Sequence, residues 1–428
     1  MSKAPELLAP AGSLAMMRTA FAFGADAIYA GQPRYSLRVR NNEFGDLATL
    51  GGAIAEAQGL GKQFFVVSNI FPHNAKLKTY LDDMAPVVAL RPNALIMSDP
   101  GLIDLVRNRW PEQTIHLSVQ ANTVNWAAVC FWQKMGVARV ILSRELSLDE
   151  VAEIRQECPD IELEVFVHGA LCIAYSGRCL LSGYFNHRDP NQGTCTNSCR
   201  WDYKLSTSEG QPAGQAINFY SSPEQEILLE ERERPGELMP IEEDEHGTYI
   251  MNSKDLRAIE HVERLVAIGV DSLKIEGRTK SPYYVARTSQ AYRRAIDDAV
   301  AGRPFRAQLL GELENLANRG YTDGFYQRHH DADYQNYLRG HSESNKSQYV
   351  GDAVAYDAVR GLMEIVVKNR FAVGDTLECV LPGGNFPCRI ERMENAEGEA
   401  ISLAPGSGHR VWLALPETAL GAFVARLF

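Results

Sequence analysis

The chain has 428 residues, 45% of them hydrophobic, with a net charge of -11 and an isoelectric point near 5.5. That acidity excludes a globally basic nucleic-acid binder, although a local basic groove is compatible with it. No apolar run reaches the roughly 18 residues of a membrane span, and MSKAPELLAPAG lacks the apolar core of a secretory signal. A cytoplasmic protein without a membrane partner is expected, and there clustered cysteines serve metal binding or redox chemistry more often than structural disulfides.

Strand and helix patterns alternate from the start. ELLAPAG reads as a strand leading into the helix SLAMMRTAFAFG, with Ser13 as N-cap. DAIYAG is the next strand, and LATLGGAIAEAQGLG a helix ended by glycine. QFFVVSN is a strand, followed by the helix LKTYLDDMAPVVAL, interrupted by Pro86. ALIMSD precedes a helix opening at Asp99-Pro100, an N-cap and N1 pair. TIHLSVQA, RVILSRE and IELEVFVHG are further strands, separated by the helices NWAAVCFWQKMG and SLDEVAEIRQEC. After a cysteine-rich stretch come YIMNSKDLRAIEHVERLVAIG, the strand SLKIEG and the helix SPYYVARTSQAYRRAIDDAVAG.

Such alternation builds a parallel sheet with helices outside. Eight units over 1–302 predict an α/β fold, a closed (β/α)8 TIM-like barrel. An open doubly wound sheet is the alternative, weakened by the lack of a Gly-x-Gly-x-x-Gly turn after the first strand. Two interruptions fall inside: the cysteine-cluster region 169–203 and an acidic stretch, 205–248, read as an inserted hairpin or lid. Residues 303–344 read as a linker. Residues 345–428, with short alternating runs such as YVGDAVAYDA and LMEIVVKN, predict a small C-terminal β-barrel domain.

Period-two reading gives each strand an inner face. Glu164, Phe166 and His168 are expected inside the barrel, as are His116, Ser118 and Gln120, and Lys274, Glu276 and Arg278. Barrel interiors are usually filled by branched apolar side chains. Polar residues from three strands therefore suggest a polar site at the strand C-termini, or else a buried network in which they satisfy one another.

Cys172, Cys179, Cys195 and Cys199 lie just beyond His168, as a C-x6-C and a C-x3-C pair. Zinc staples prefer two to four residues between paired ligands, and Fe–S clusters accept looser spacing; spacing alone leaves both open. Cys130, Cys158, Cys379 and Cys388 are scattered and read as small buried hydrophobes.

The run Glu164 to Ser182, EVFVHGALCIAYSGRCLLS, fits at every position the pattern E-x-F-x2-G-(S/A)-(L/I/V/M)-C-x4-G-x-C-x-(L/I/V/M)-S of the collagenase-like peptidase family, which the chain resembles over most of its length. RYSLRVRNNEF, SVQANTVNW, ILSRELSLDE, NQGTCTNSCRW and IEGRTKSPYYV resemble in particular the members that hydroxylate tRNA. The resemblance implies a 4Fe-4S cluster on Cys172, Cys179, Cys195 and Cys199. It also implies oxygen-independent hydroxylation of the tRNA wobble uridine to 5-hydroxyuridine, with prephenate as co-substrate.

Prephenate carries two carboxylates, which arginine forks hold well. Arg34, Arg38, Arg40, Arg144 and Arg278, at strand ends, are the candidates for prephenate and tRNA phosphates. His168, Gln120 and Glu276, with Asn69, are candidates to orient the donor or the uracil. Tyr175, Tyr184 and Trp201 flank the cysteines and suit base stacking or shielding of a cluster. The family's peptidase label finds no H-E-x-x-H helix and no G-x-S-x-G elbow. A Cys172 nucleophile beside His168 or His187, and a tRNA-binding Fe–S protein without chemistry of its own, are the alternatives.

Overall fold

The computed structural model describes residues 3–32, 34–37, 42–171, 254–314, 316, 318, 320–327 and 347–428, together with the backbone of five short strands between 203 and 248. Seven strands lead the chain: β1 (Glu6–Pro10), β2 (Ala27–Gly31), β3 (Gln63–Ser68), β4 (Ala94–Met97), β5 (Ile115–Leu117), β6 (Arg139–Ile141) and β7 (Glu162–Ala170). Each pairs in parallel with the next. The strand Ser272–Ile275 then pairs in parallel with both β7 and β1, closing an eight-stranded barrel. The open doubly wound sheet is thereby excluded. The short strands, apolar on the face toward the helices, suit this closure, because parallel strands are covered on both faces.

Helices α1 (Leu14–Ala22), α2 (Leu47–Gly59), α3 (Asn74–Ala89), α4 (Pro100–Arg109), α5 (Trp126–Lys134) and α6 (Leu148–Glu157) surround the barrel, followed by Val262–Ile268 and Pro282–Val300. Ser13, Asp46, Asp99, Asn125, Ser147 and Ser281 cap them through side-chain oxygens, satisfying amides that no preceding turn can reach. Pro86 does not interrupt α3, which runs through it to Ala89. β5 is shorter than its sequence suggests: it stops at Leu117, and Val119–Ala121 forms a 3-10 turn closed by left-handed Asn122.

One strand escaped the sequence pattern. Asp255–Arg257 runs antiparallel to the last residues of β7 and is flanked in turn by Tyr321–Thr322. β7 therefore forks, its body pairing with the closing strand and its tip with Asp255–Arg257. Within 303–344, Gln308–Glu314 is a helix tied to Pro282–Val300 by Arg294–Glu312. The acidic stretch contributes antiparallel strands, Tyr203–Thr207, Ile227–Glu231 and Leu238–Ile241, plus the pair Glu243–Asp244 and Gly247–Thr248.

Residues 347–428 fold as an antiparallel seven-stranded half-barrel around a core of its own that includes Val350, Ile365, Leu377, Val411 and Val424. It docks on Pro282–Val300. Tyr283 stacks on Tyr349 at 4.8 Å, Phe423 meets Phe23 at 6.1 Å, and buried Arg287 pairs with Glu378 at 2.6 Å. Of the scattered cysteines, Cys158 and Cys379 are buried while Cys130 and Cys388 are half-buried; the Cys130 and Cys158 sulfurs approach to 2.8 Å.

Candidate active site

The barrel interior is layered from a charged floor to a charged mouth. At the floor, Arg139 bridges Glu6 at 2.6 Å, Glu162 at 2.8 Å and Glu164 at 3.0 Å, and Glu164 also takes Lys274 at 2.8 Å. Burial pushes the Glu164 carboxyl up, but Lys274 and Arg139 outweigh it and hold the group below the usual carboxylate range. Burial wins for Lys274, whose pKa is lowered in spite of Glu164, and for Glu6, whose pKa is raised in spite of Arg139. His116 stands edge-on to Phe65 at 4.7 Å. Burial first, then the cations Arg139 and Lys274, keep it neutral.

Above this floor sit two aromatic rings under cations. Lys274 Nζ lies 4.4 Å from the Tyr29 ring centre and 5.3 Å from that of Phe166. The Arg144 guanidinium covers Phe166 at 3.8 Å, and that of Arg278 lies 5.7 Å from Tyr29. The Tyr29 hydroxyl is within donor range of Glu276 Oε2 at 3.0 Å and the Ile275 carbonyl at 2.9 Å. Arg278 donates to Ser36 Oγ at 3.0 Å. A Cβ on Gly31 would come within 2.6 Å of both the Arg278 Nη1 and the Ser36 Oγ, so the strand-end glycine lets this contact form.

The opposite side of the mouth is amide and hydroxyl. Asn69 donates to Ser118 Oγ at 3.3 Å and accepts from the Leu37 amide at 3.2 Å. Ser98 Oγ reaches the Asn69 carbonyl at 3.2 Å and Gln120 Oε1 at 3.5 Å. All these residues lie at or just beyond strand C-termini, the face on which barrels of this kind carry their chemistry. Arginine forks opposite a neutral donor–acceptor rim suit a planar anionic ligand.

The structure thus brings together Asn69, Gln120, Arg144, Glu276 and Arg278. It does not bring His168 with them. The pairing of β7 with the closing strand slips between Lys274 and Ile275, setting His168 beside Ile275 rather than in line with Lys274. This irregularity turns His168 out of the lumen, into a pocket of Tyr284, Tyr292 and Tyr321 with ring centres 5.5–5.8 Å away. Burial lowers its pKa to about 3; Nδ1 lies 3.4 Å from the Tyr292 hydroxyl, and Nε2 has no hydrogen-bond partner. The expectation of an inward His168 is corrected accordingly. Gly169, at φ +102°, follows the slip; its Cβ would fall 2.4 Å from the Glu276 carbonyl. A glycine inside a strand pattern is the one sequence signal of such a break.

Arg34 is also elsewhere: it pairs with Asp83 of α3 at 2.6 Å on the outer surface. Phe166, Lys274 and Ser118 stand at the mouth as the alternation of their strands predicts, whereas Tyr29, Ser36 and Ser98 join it although the sequence reading placed none of them in the site. The alternation in AIYAG, with Tyr29 between Ile28 and Ala30, was the available signal for the tyrosine. Arg38, Arg40, Tyr175, Trp201 and the cysteines Cys172, Cys179, Cys195 and Cys199 lie outside the described residues, as do Tyr184 and His187. The tip of β7 ends at Ala170, held against Asp255, so Cys172 begins two residues beyond a fixed point of the barrel. Among the described residues no three His, Cys, Asp or Glu side chains group as metal ligands, and no helix is long and apolar enough to cross a membrane.

A closed barrel with an arginine-lined mouth and a β half-barrel docked on the helix Pro282–Val300 defines the class. Residues 12–336 match peptidase family U32 and residues 345–426 its C-terminal domain, and the chain belongs to this family. It is 60% identical to tRNA hydroxylation protein P of Escherichia coli (strain K12), over 96% of this chain and 94% of that one. Its counterpart of the same name in Haemophilus influenzae is 58% identical, with the same coverage. A collagenase of Porphyromonas gingivalis is 27% identical over 96% of this chain and 95% of that one.

Proposed function

We propose that this chain is a tRNA hydroxylase that converts the wobble uridine to 5-hydroxyuridine, with prephenate as co-substrate and without molecular oxygen. The observation that carries the reading is 60% identity over nearly the whole chain to a tRNA hydroxylation protein, joined to a mouth whose cations suit a dicarboxylate. Arg144 and Arg278 would each take a carboxylate, the latter oriented by Ser36. Tyr29 and Glu276 would set the depth of the ligand, and Asn69, Ser118 and Gln120 offer amide and hydroxyl groups of the kind that reads a uracil edge. Cys172, Cys179, Cys195 and Cys199 form the four-thiolate donor set that a 4Fe-4S cluster takes. Bound there, such a cluster would supply one-electron chemistry. The residues of the mouth bind, orient and screen the ligands; neutral His168, walled in by tyrosines, supports the β7 tip rather than moving a proton.

The test is mass spectrometry of 5-hydroxyuridine in tRNA from cells with and without the gene, in a background lacking any redundant enzyme. Unchanged levels reject the reading. Anaerobic purification with iron and sulfide assays tests the cluster, and a colourless protein with stoichiometric zinc rejects it. The peptidase alternative predicts gelatin cleavage that Cys172→Ser abolishes.

A further inference from the structure

Two of the cysteines that read as small buried hydrophobes meet in the fold. Cys130 lies in α5, and Cys158, 28 residues later, is the C-cap of α6. Their sulfurs are 2.8 Å apart, so a small turn of either side chain brings them to bonding distance. Neither residue belongs to the barrel mouth or to the four cysteines between 172 and 199.

The two thiols are unlike. Cys158 is 1% exposed, and its sulfur also lies 3.4 Å from the Trp126 carbonyl. Burial first, then the neighbouring Cys130, pushes its pKa up to about 12, so at neutral pH it stays a thiol. Cys130 is half-buried, and the residue after it, Phe131, is exposed. A small polar oxidant therefore reaches Cys130 first. A single core cysteine is inert packing. A thiol that meets solvent, backed by a buried second thiol in contact with it, has the layout of an attacking and a resolving cysteine.

We propose that Cys130 and Cys158 form a redox-active dithiol that a hydroperoxide converts to a disulfide, fastening α5 to the end of α6. In the first step the Cys130 sulfur attacks one peroxide oxygen, the O–O bond breaks, and Cys130 becomes a sulfenic acid as water leaves. In the second the Cys158 sulfur displaces the sulfenic hydroxyl, and its proton leaves with that hydroxyl as water. Two thiols and one hydrogen peroxide thus give one disulfide and two waters, two electrons passing from sulfur to oxygen. A thiol reductant reverses the bond.

In the experiment the full chain, prepared reduced, is treated with hydrogen peroxide, blocked with an alkylating agent and digested with trypsin and a glutamate-specific protease. Glu162 and Glu164 then part Cys158 from Cys172. Peptide mass spectrometry should find Cys130 joined to Cys158 and released by dithiothreitol. Cys158→Ser should stop at a Cys130 sulfenic acid that dimedone traps, and Cys130→Ser should leave Cys158 reduced over the same time. Because the bond closes a loop of 28 residues, the change in thermal midpoint on oxidation should be roughly 4–6 °C more positive in wild type than in either serine variant. Recovery of both cysteines alkylated after peroxide, or joined only to other cysteines, overturns the dithiol. A Cys130–Cys158 bond without the thermal difference overturns the fastening of α5 to α6.

Discussion

Glu164→Gln should unsettle the barrel floor in a way that can be measured. The Glu164 side chain is fully buried, and its two oxygens serve two cations, Lys274 at 2.8 Å and Arg139 at 3.0 Å. Arg139 keeps Glu6 and Glu162 when the charge at 164 is removed. For Lys274, 4% exposed, Glu164 is the carboxylate in direct contact. Leaving a buried ion without its partner costs about 3–5 kcal/mol, so urea unfolding followed by tryptophan fluorescence should show a loss of that order at pH 7. Lys274 already has a lowered pKa in the fold, and the substitution lowers it further. The unfolded chain then holds the extra proton, so stability rises with pH until the unfolded lysine itself titrates near 10.4. The deficit should accordingly shrink from pH 7 toward pH 10. Glu164→Gln combined with Lys274→Met removes both charges and should recover most of the loss. A single-variant deficit under about 1 kcal/mol, or one independent of pH, refutes this account of the floor.

Gly31→Ala should displace Arg278 from Ser36, because the added methyl falls 2.6 Å from both. A fold penalty of about 1–3 kcal/mol is expected, with prephenate affinity by calorimetry reduced as in Arg278→Ala; unchanged affinity in both variants removes Arg278 from the pocket. His168, with its pKa lowered to about 3, should show no imidazole titration by carbon-13 NMR between pH 5 and 8. Because the unfolded histidine protonates near 6.5, this group should cost stability as pH falls below that value; an inflection near 6.5 in the folded protein contradicts the tyrosine pocket. Glu378→Gln strips the partner from Arg287, which is 1% exposed. It should loosen the half-barrel and speed limited proteolysis of the chain; an unchanged rate dismisses the ion pair as the fastening.

The barrel was legible because each of its eight strands is a short apolar run bounded by a capped helix, a local pattern that needs no tertiary knowledge. Arg144, Gln120, Asn69, Glu276 and Arg278 were legible for the same reason: strand ends in this architecture converge. His168 was misplaced because its orientation depends on a slip between β7 and a strand more than 100 residues later, and alternation presumes no slip. The charged floor was missed because Glu6, Arg139 and Glu162 stand at strand starts, where charge reads as solvated surface; their contact spans 133 residues of sequence. Asp255–Arg257 was missed because three residues carry too little periodicity to separate a strand from the helix after it.

The closure between β1 and Ser272–Ile275 has a temporal consequence. Glu6 and Ser272, which meet at that seam, are 266 residues apart. At 5–20 residues per second of synthesis, β1 emerges about 13–53 s before its closing neighbour exists. Through that interval the first strand keeps an unpaired edge, of the kind that invites association with other chains. The segment from 172 to 253, with its cysteines and acidic run, is made late in this wait and lengthens it. Nascent chains stalled between residues 172 and 272 are therefore the stage at which a chaperone would matter most to this protein.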